Sequence, residues 1–168
     1  MPSLLRLGAK QGEMVVPTIV RDGIKLVFED RGAGKPAFVF VHGTSCNRSF
    51  FAPQAEHFAR RHRVVSVDLR GHGESDKPPG PYPIAAYADD IAYIIEQVGL
   101  SKVIAVGHSM GGVIVLQLAA AHPGMPIVTI NSLRLIMPPW SRRTSQAARC
   151  GFSRKIRLPI SPSFCSIR

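Results

Sequence analysis

No aspartate or glutamate occurs in the chain after Glu96, although 72 residues follow it. Residues 97–168 therefore offer no side-chain carboxylate to any chemistry. Long apolar runs are also missing. The longest candidate, residues 113–121, is interrupted by Gln117 and falls well short of the roughly 18 residues that a membrane span needs. Residues 1–16 hold no continuous hydrophobic segment followed by a small-residue cleavage site, which argues against a secretory signal. Cysteine is scarce and odd in number. Cys46, Cys150 and Cys165 show no CxxC spacing, which argues against a disulfide framework or a zinc site and favours a reducing, cytoplasmic setting. There is no internal repeat.

What remains is the composition of an ordered domain: 168 residues, 45% hydrophobic, enough for one sizeable core. The net charge of +10 suggests nucleic acid until it is divided by position. Residues 1–130 carry 13 Lys/Arg against 11 Asp/Glu, whereas residues 131–168 carry 8 Lys/Arg and no acid. The basic character thus belongs to a tail that also holds seven Ser and four Pro without sustained periodicity, and that reads as mostly irregular. Its short clusters, Arg142-Arg143 and Arg154-Lys155-Arg157, could meet phosphates, but no reading module accompanies them, so a nucleic-acid partner is not expected.

Before the tail, short apolar runs alternate with helical patterns. Residues 15–20 and 24–28 read as a hairpin joined at Asp22-Gly23, a strong tight-turn signal. Residues 37–42, 63–68 and 102–107 are continuous apolar runs suited to buried strands, and residues 127–130 form one more. Helices are expected over 49–60, 85–98 and 111–122. In the second, Tyr87, Ile91, Ile94, Ile95 and Val98 recur at helical spacing, with Asp89, Asp90, Glu96 and Gln97 on the other surface. The third is apolar almost all round, the pattern of a helix set deep against a sheet. The alternation predicts an α/β fold: a mostly parallel sheet flanked by helices, with an N-terminal antiparallel hairpin.

The stretch VGHSMGG, residues 106–112, joins a predicted strand to a predicted helix. A serine on such a turn stands clear of the sheet, with the first amides of the following helix facing any negative charge that develops beside it. Gly107 and Gly111, two residues on either side of Ser109, relieve crowding where strand, turn and helix meet. Without that strand-to-helix setting, GxSxG is a common turn pattern.

Three segments in order, HGTS at 42–45, DLRGHGESD at 68–76 and VGHSMGG, resemble those of the α/β-hydrolase superfamily, in its esterase or haloperoxidase-like branch. The likeness covers about residues 15–131 and implies a serine hydrolase acting on an ester-like small molecule, without a metal or organic cofactor. It implies Ser109 as the nucleophile, with the backbone N–H groups of Met110 and Thr44 receiving the negative oxygen. It makes the nearby His42 a loop-shaping residue rather than a base. His108 is expected to point away from the serine, and His72 and Asp68 to serve the turn that holds them. Arg70 is read as half of a loop-bracing ion pair. A serine in this position argues against the dehalogenase branch, which carries aspartate there.

The resemblance also exposes a gap. In the family an acid and then a histidine follow the serine, and together they activate its hydroxyl. Here no acid follows, and the one later histidine, His122, lies eleven helical residues beyond Gly111, about 16 Å away at ~1.5 Å per residue. It reads as a helix-end residue before Pro123. Asn131 and Ser132 fall where some relatives carry the acid, and neither supplies a carboxylate. The expectation is an incomplete hydrolase fold, 1–131, followed by a tail, 132–168, that does not resemble the remainder, as a truncated or frame-shifted product would show. Impaired hydrolysis follows from this. The alternative is a non-catalytic binding or assembly protein that self-associates through the exposed late edge of the sheet.

Overall fold

The computed structural model describes residues 16–125 and 127–131. Strands β1 (Thr18–Arg21) and β2 (Ile24–Arg31) form the hairpin. Its turn uses Asp22 at φ 51° and Gly23 at φ 77°, the paired left-handed conformation that matches strand twist. β3 (Ala37–Val41), β4 (Val64–Asp68), β5 (Val103–Gly107) and β6 (Ile127–Asn131) follow. The sheet order is β1-β2-β4-β3-β5-β6, antiparallel in the two pairs made by β2 and parallel in the three pairs among β3 to β6. Helices α1 (Ala52–Ala59), α2 (Ile84–Gln97) and α3 (Met110–Ala121) occupy the crossovers between the parallel strands.

Side-chain alternation along the strands sorts the core into two layers. Phe38, Phe40 and Val64 face α1, where Phe51, Ala55 and Phe58 meet them, with Phe38 and Phe58 stacked at 4.3 Å between ring centroids. Val39, Val41, Val65, Val67, Val103 and Ala105 face the opposite way, onto Ile91, Ile94 and Ile95 of α2 and Ile114, Val115 and Leu118 of α3. Each valine, leucine or isoleucine side chain among these contributes roughly 1.5–3 kcal/mol on burial. Both layers end at the same sheet rim, where the loops after β3, β4 and β5 emerge.

Four details differ from the sequence expectation. β2 runs to Arg31 instead of ending at Phe28, because Glu29, Asp30 and Arg31 still pair in register with Ser66, Val65 and Val64. The first helix opens as a 3-10 turn, Arg48–Phe51, whose start is capped by the Asn47 side chain accepting from Ser49 N–H. Asp90 does not lie on a solvated face of α2: it is 2% exposed and buried against two arginines. α3 is not enclosed all round, since Val113 and Leu116 are 42% and 49% exposed while Ile114, Val115 and Leu118 face inward. Uncharged composition alone therefore does not tell how deeply this helix is set.

Candidate active site

Backbone crowding explains the glycines around Ser109. β5 stays paired with β3 through Val41↔Gly107, and His108 N–H then donates to Val41 O at 3.1 Å. The chain reverses at Ser109, φ 51° and ψ −117°, and α3 begins at Met110. A left-handed serine costs on the order of 1–3 kcal/mol and persists only where its surroundings enforce it. Gly111 N–H donates to His108 O at 2.8 Å and Gly112 N–H to Ser109 O at 2.9 Å, closing the turn. A Cβ on Gly107 would run into the Gly111 carbonyl, and one on Gly111 into the carbonyls of Val41 and His42.

The loop after β3 lies against this turn. A Cβ on Gly43 would come within 3.1 Å of His108 O and 3.2 Å of Ser109 Cβ. The next residue, Thr44, is exposed, and its hydroxyl donates to Met110 Sδ at 3.4 Å. Thr44, Ser109 and Met110, singled out from the sequence, are therefore brought together. Ser109 is half-buried, and among the described residues its hydroxyl makes no hydrogen bond.

The imidazoles are engaged elsewhere. His42 is fully buried, with Nδ1 2.8 Å from Gly43 O and Nε2 accepting Leu69 N–H at 3.2 Å. Because Leu69 N–H can only donate, the proton of His42 sits on Nδ1 and the ring is neutral. Burial pushes its pKa down and nearby His72 reinforces this, while the Gly43 hydrogen bond opposes it. The His108 ring stacks on Phe50 at 4.6 Å, on the α1 side of the sheet. His72 Nδ1 lies 3.0 Å from Arg70 O, and His62 Nδ1 3.0 Å from Pro36 O. At the end of α3, His122 Nε2 is 3.2 Å from Asp89 Oδ1. Among the described residues no group of three or more His, Cys, Asp or Glu could hold a metal ion, and no helix is long and apolar enough to cross a membrane.

Behind the site the loop after β4 wraps Asp68, whose side chain is wholly buried. Its carboxylate accepts Arg48 N–H at 2.6 Å, Glu74 N–H at 2.9 Å and the Arg48 guanidinium. Gly73 packs so tightly on the carboxylate that a Cβ there would overlap it. Ser75 ties the same loop to the hairpin, donating to Asp68 O at 2.7 Å and accepting Val27 N–H at 2.8 Å. Arg48 also reaches Glu74 Oε1 at 2.7 Å and lies 3.5 Å from Glu29 Oε1. Burial disfavours its charge, but Glu74 and Asp68 outweigh burial and hold the guanidinium protonated. Arg70 forms the expected loop brace, donating from Nε and Nη2 to Asp90 at 2.6 Å each, and this hydrogen-bonded pairing raises its pKa. Nothing local marks Arg48 in the sequence, because its partner Asp68 lies 20 residues away at the end of β4.

The profile of the family described as alpha/beta hydrolase fold matches residues 36–144. The chain belongs to that family. It is 35% identical over 121 residues to the AB hydrolase superfamily protein YisY of Bacillus subtilis, covering 71% of this chain and 45% of that protein. It is 38% identical over 102 residues to the 2-(acetamidomethylene)succinate hydrolase of Mesorhizobium japonicum, covering 61% and 36%. Among solved structures it superposes on Est816, described as an N-acyl homoserine lactone degrading enzyme, with a TM-score of 0.65 and 32% identity, covering 79% of this chain and 52% of that one. The chain thus spans about half the length or less of these relatives.

Proposed function

We propose that Ser109 is the nucleophile of a serine hydrolase site for ester-like carbonyl substrates, with the Met110 and Thr44 backbone amides receiving the oxygen that becomes negative. The single observation that carries this reading is the left-handed serine between β5 and α3, packed against Gly43. Loss of one donor from such a pair costs roughly 3 kcal/mol of transition-state stabilisation. The lactone-degrading neighbour fits a carbonyl substrate. The same reading makes this 168-residue chain weak in turnover, because no acid follows Ser109 and the rings of His42, His108 and His122 are engaged elsewhere. The basic tail 132–168 lies outside the described residues, and the reading takes no catalytic residue from it; it also places the protein in the cytoplasm. The test uses the purified chain, p-nitrophenyl acetate and imidazole as an external base. Little steady turnover above the S109A background is expected, together with one acetyl group on Ser109 by mass spectrometry. Robust turnover without imidazole that S109A abolishes would overturn the impairment, and absence of the adduct would overturn the nucleophile.

A second reading, self-association, rests on a difference between the sheet edges. β1 is preceded by Pro17 and ends at Arg21, both of which discourage further pairing. β6, with the uncharged sequence IVTIN, has β5 as its only partner among the described residues. Sedimentation should then show a concentration-dependent dimer, and a monomer at every concentration removes this reading.

A further inference from the structure

We infer that Arg48 and Asp68 are positioning residues for the Thr44 amide, holding it beside Ser109 from the far side of the loop after β3. The inference rests on the assignment of Ser109, Thr44 and Met110 proposed above, and it names what keeps one of the two amides in place.

Thr44, Ser45 and Asn47 are exposed, so apolar packing does not hold this stretch. It is a tight turn, with Cys46 N–H donating to Gly43 O at 3.3 Å and Ser45 at φ 61°. A turn hung in solvent takes its position from its two ends. At one end Gly43 abuts Ser109 and His42 bridges to Leu69 N–H. At the other the chain enters the 3-10 turn at Arg48, and there both the backbone N–H and the guanidinium of one residue converge on the Asp68 carboxylate. Charge-assisted bonds of this kind, closed off from water, fix direction as well as distance. Glu74 N–H on the second Asp68 oxygen and Glu74 Oε1 on Arg48 close the arrangement, so that Asp68 cannot swing without moving Arg48. Met110 is held differently, by the pairing of β5 with β3 and the start of α3, none of which involves Asp68. The Thr44 hydroxyl touches Met110 Sδ, but the main-chain supports of the two amides are separate, so releasing the Arg48 anchor displaces the Thr44 amide while that of Met110 stays.

The experiment follows acetylation of Ser109 by p-nitrophenyl acetate with imidazole present. Ser109 Oγ attacks the acetyl carbon, its proton passes to imidazole, and the carbon–oxygen bond to p-nitrophenolate breaks, leaving acetyl-Ser109. D68N and R48A, each scaled to its folded fraction, are expected to slow adduct formation at least tenfold, and D90N to proceed at the unaltered rate. In 15N spectra, acetylation is expected to shift the Thr44 and Met110 amides together in the unaltered protein, and Met110 alone in D68N. R48K, which restores a positive charge beside Asp68, should recover part of the rate that R48A loses. Unaltered rates in D68N and R48A, or a Thr44 shift that survives in both, overturn the positioning role. If D68N does not fold, R48A and R48K decide the matter. If Ser109 takes no acetyl group even in the unaltered protein, the nucleophile assignment falls. Proton–proton Overhauser contacts between the Thr44 and Met110 side chains then decide the positioning role, which fails if they persist in D68N and R48A.

Discussion

Asp68 and Asp90 are the two acidic side chains buried among the described residues, and arginine meets both. Asp68 closes a strand and takes two backbone N–H groups besides the Arg48 guanidinium. Asp90 sits inside α2 and takes guanidinium groups alone: Arg70 through two bonds, and Arg21 of β1 at 2.9 Å. A carboxylate that accepts main-chain amides decides the course of a loop. One that accepts only side chains fastens elements that are already formed, here the hairpin, the loop after β4 and α2. The same chemistry thus supports site geometry in one place and assembly of the fold in the other.

The largest effect should come from D90A, which strands two arginines around an emptied position. A loss of about 3–5 kcal/mol in urea unfolding is expected, with Ser109 acetylation unchanged in the folded fraction. A stability loss below about 1 kcal/mol, or slowed acetylation, would erase the division of labour. D68N keeps one acceptor oxygen and should cost less, about 1–3 kcal/mol, while slowing acetylation. In the double variant D68N/D90N the two costs should add within about 0.5 kcal/mol, and a larger coupling would merge the clusters into one.

Acid should probe the Asp68 side through His42. The folded pKa of His42 is depressed, so the unfolded chain, with histidine near 6.5, takes up the proton first as pH falls. The contribution of His42 is complete above about pH 6.5 and is lost below it, until the folded pKa is reached, at up to about 1.4 kcal/mol per pH unit. Urea unfolding at pH 7.5 and 5.5 should show this slope in the unaltered chain and a shallower one in H42N. Equal slopes would remove the buried neutral ring from the account. The smallest effect belongs beside Asp90, where Asp89 faces outward and pairs with His122. With the Asp89 side chain 43% exposed, D89N should change stability by less than about 0.5 kcal/mol. A larger cost would make Asp89 part of the Asp90 fastening.

Local signals were legible in the sequence. Asp22-Gly23 marked the hairpin turn, the buried runs marked the parallel strands, and Gly107 and Gly111 marked the turn that carries Ser109. Each of these depends on neighbours a few residues away. The readings of His42 as a loop former and of Arg70 as a loop brace also match their contacts. What escaped was long-range pairing. Asp90 reads as a surface residue because its period on α2 is polar, and only the fold shows Arg21 arriving from 69 positions away. Arg48 carries no local mark either, since its meaning comes from Asp68 across the sheet rim. Exposure of Val113 and Leu116 was equally hidden, because an uncharged helix gives no directional pattern from which to read its outer side.

With one ring nitrogen donating to Gly43 and the other accepting from Leu69, His42 has no lone pair left to offer. Electrophiles such as diethyl pyrocarbonate and soft metal ions find nothing to attack there while the domain stays intact. Its modification therefore timestamps opening of the rim, an internal clock written into the chain without any added label.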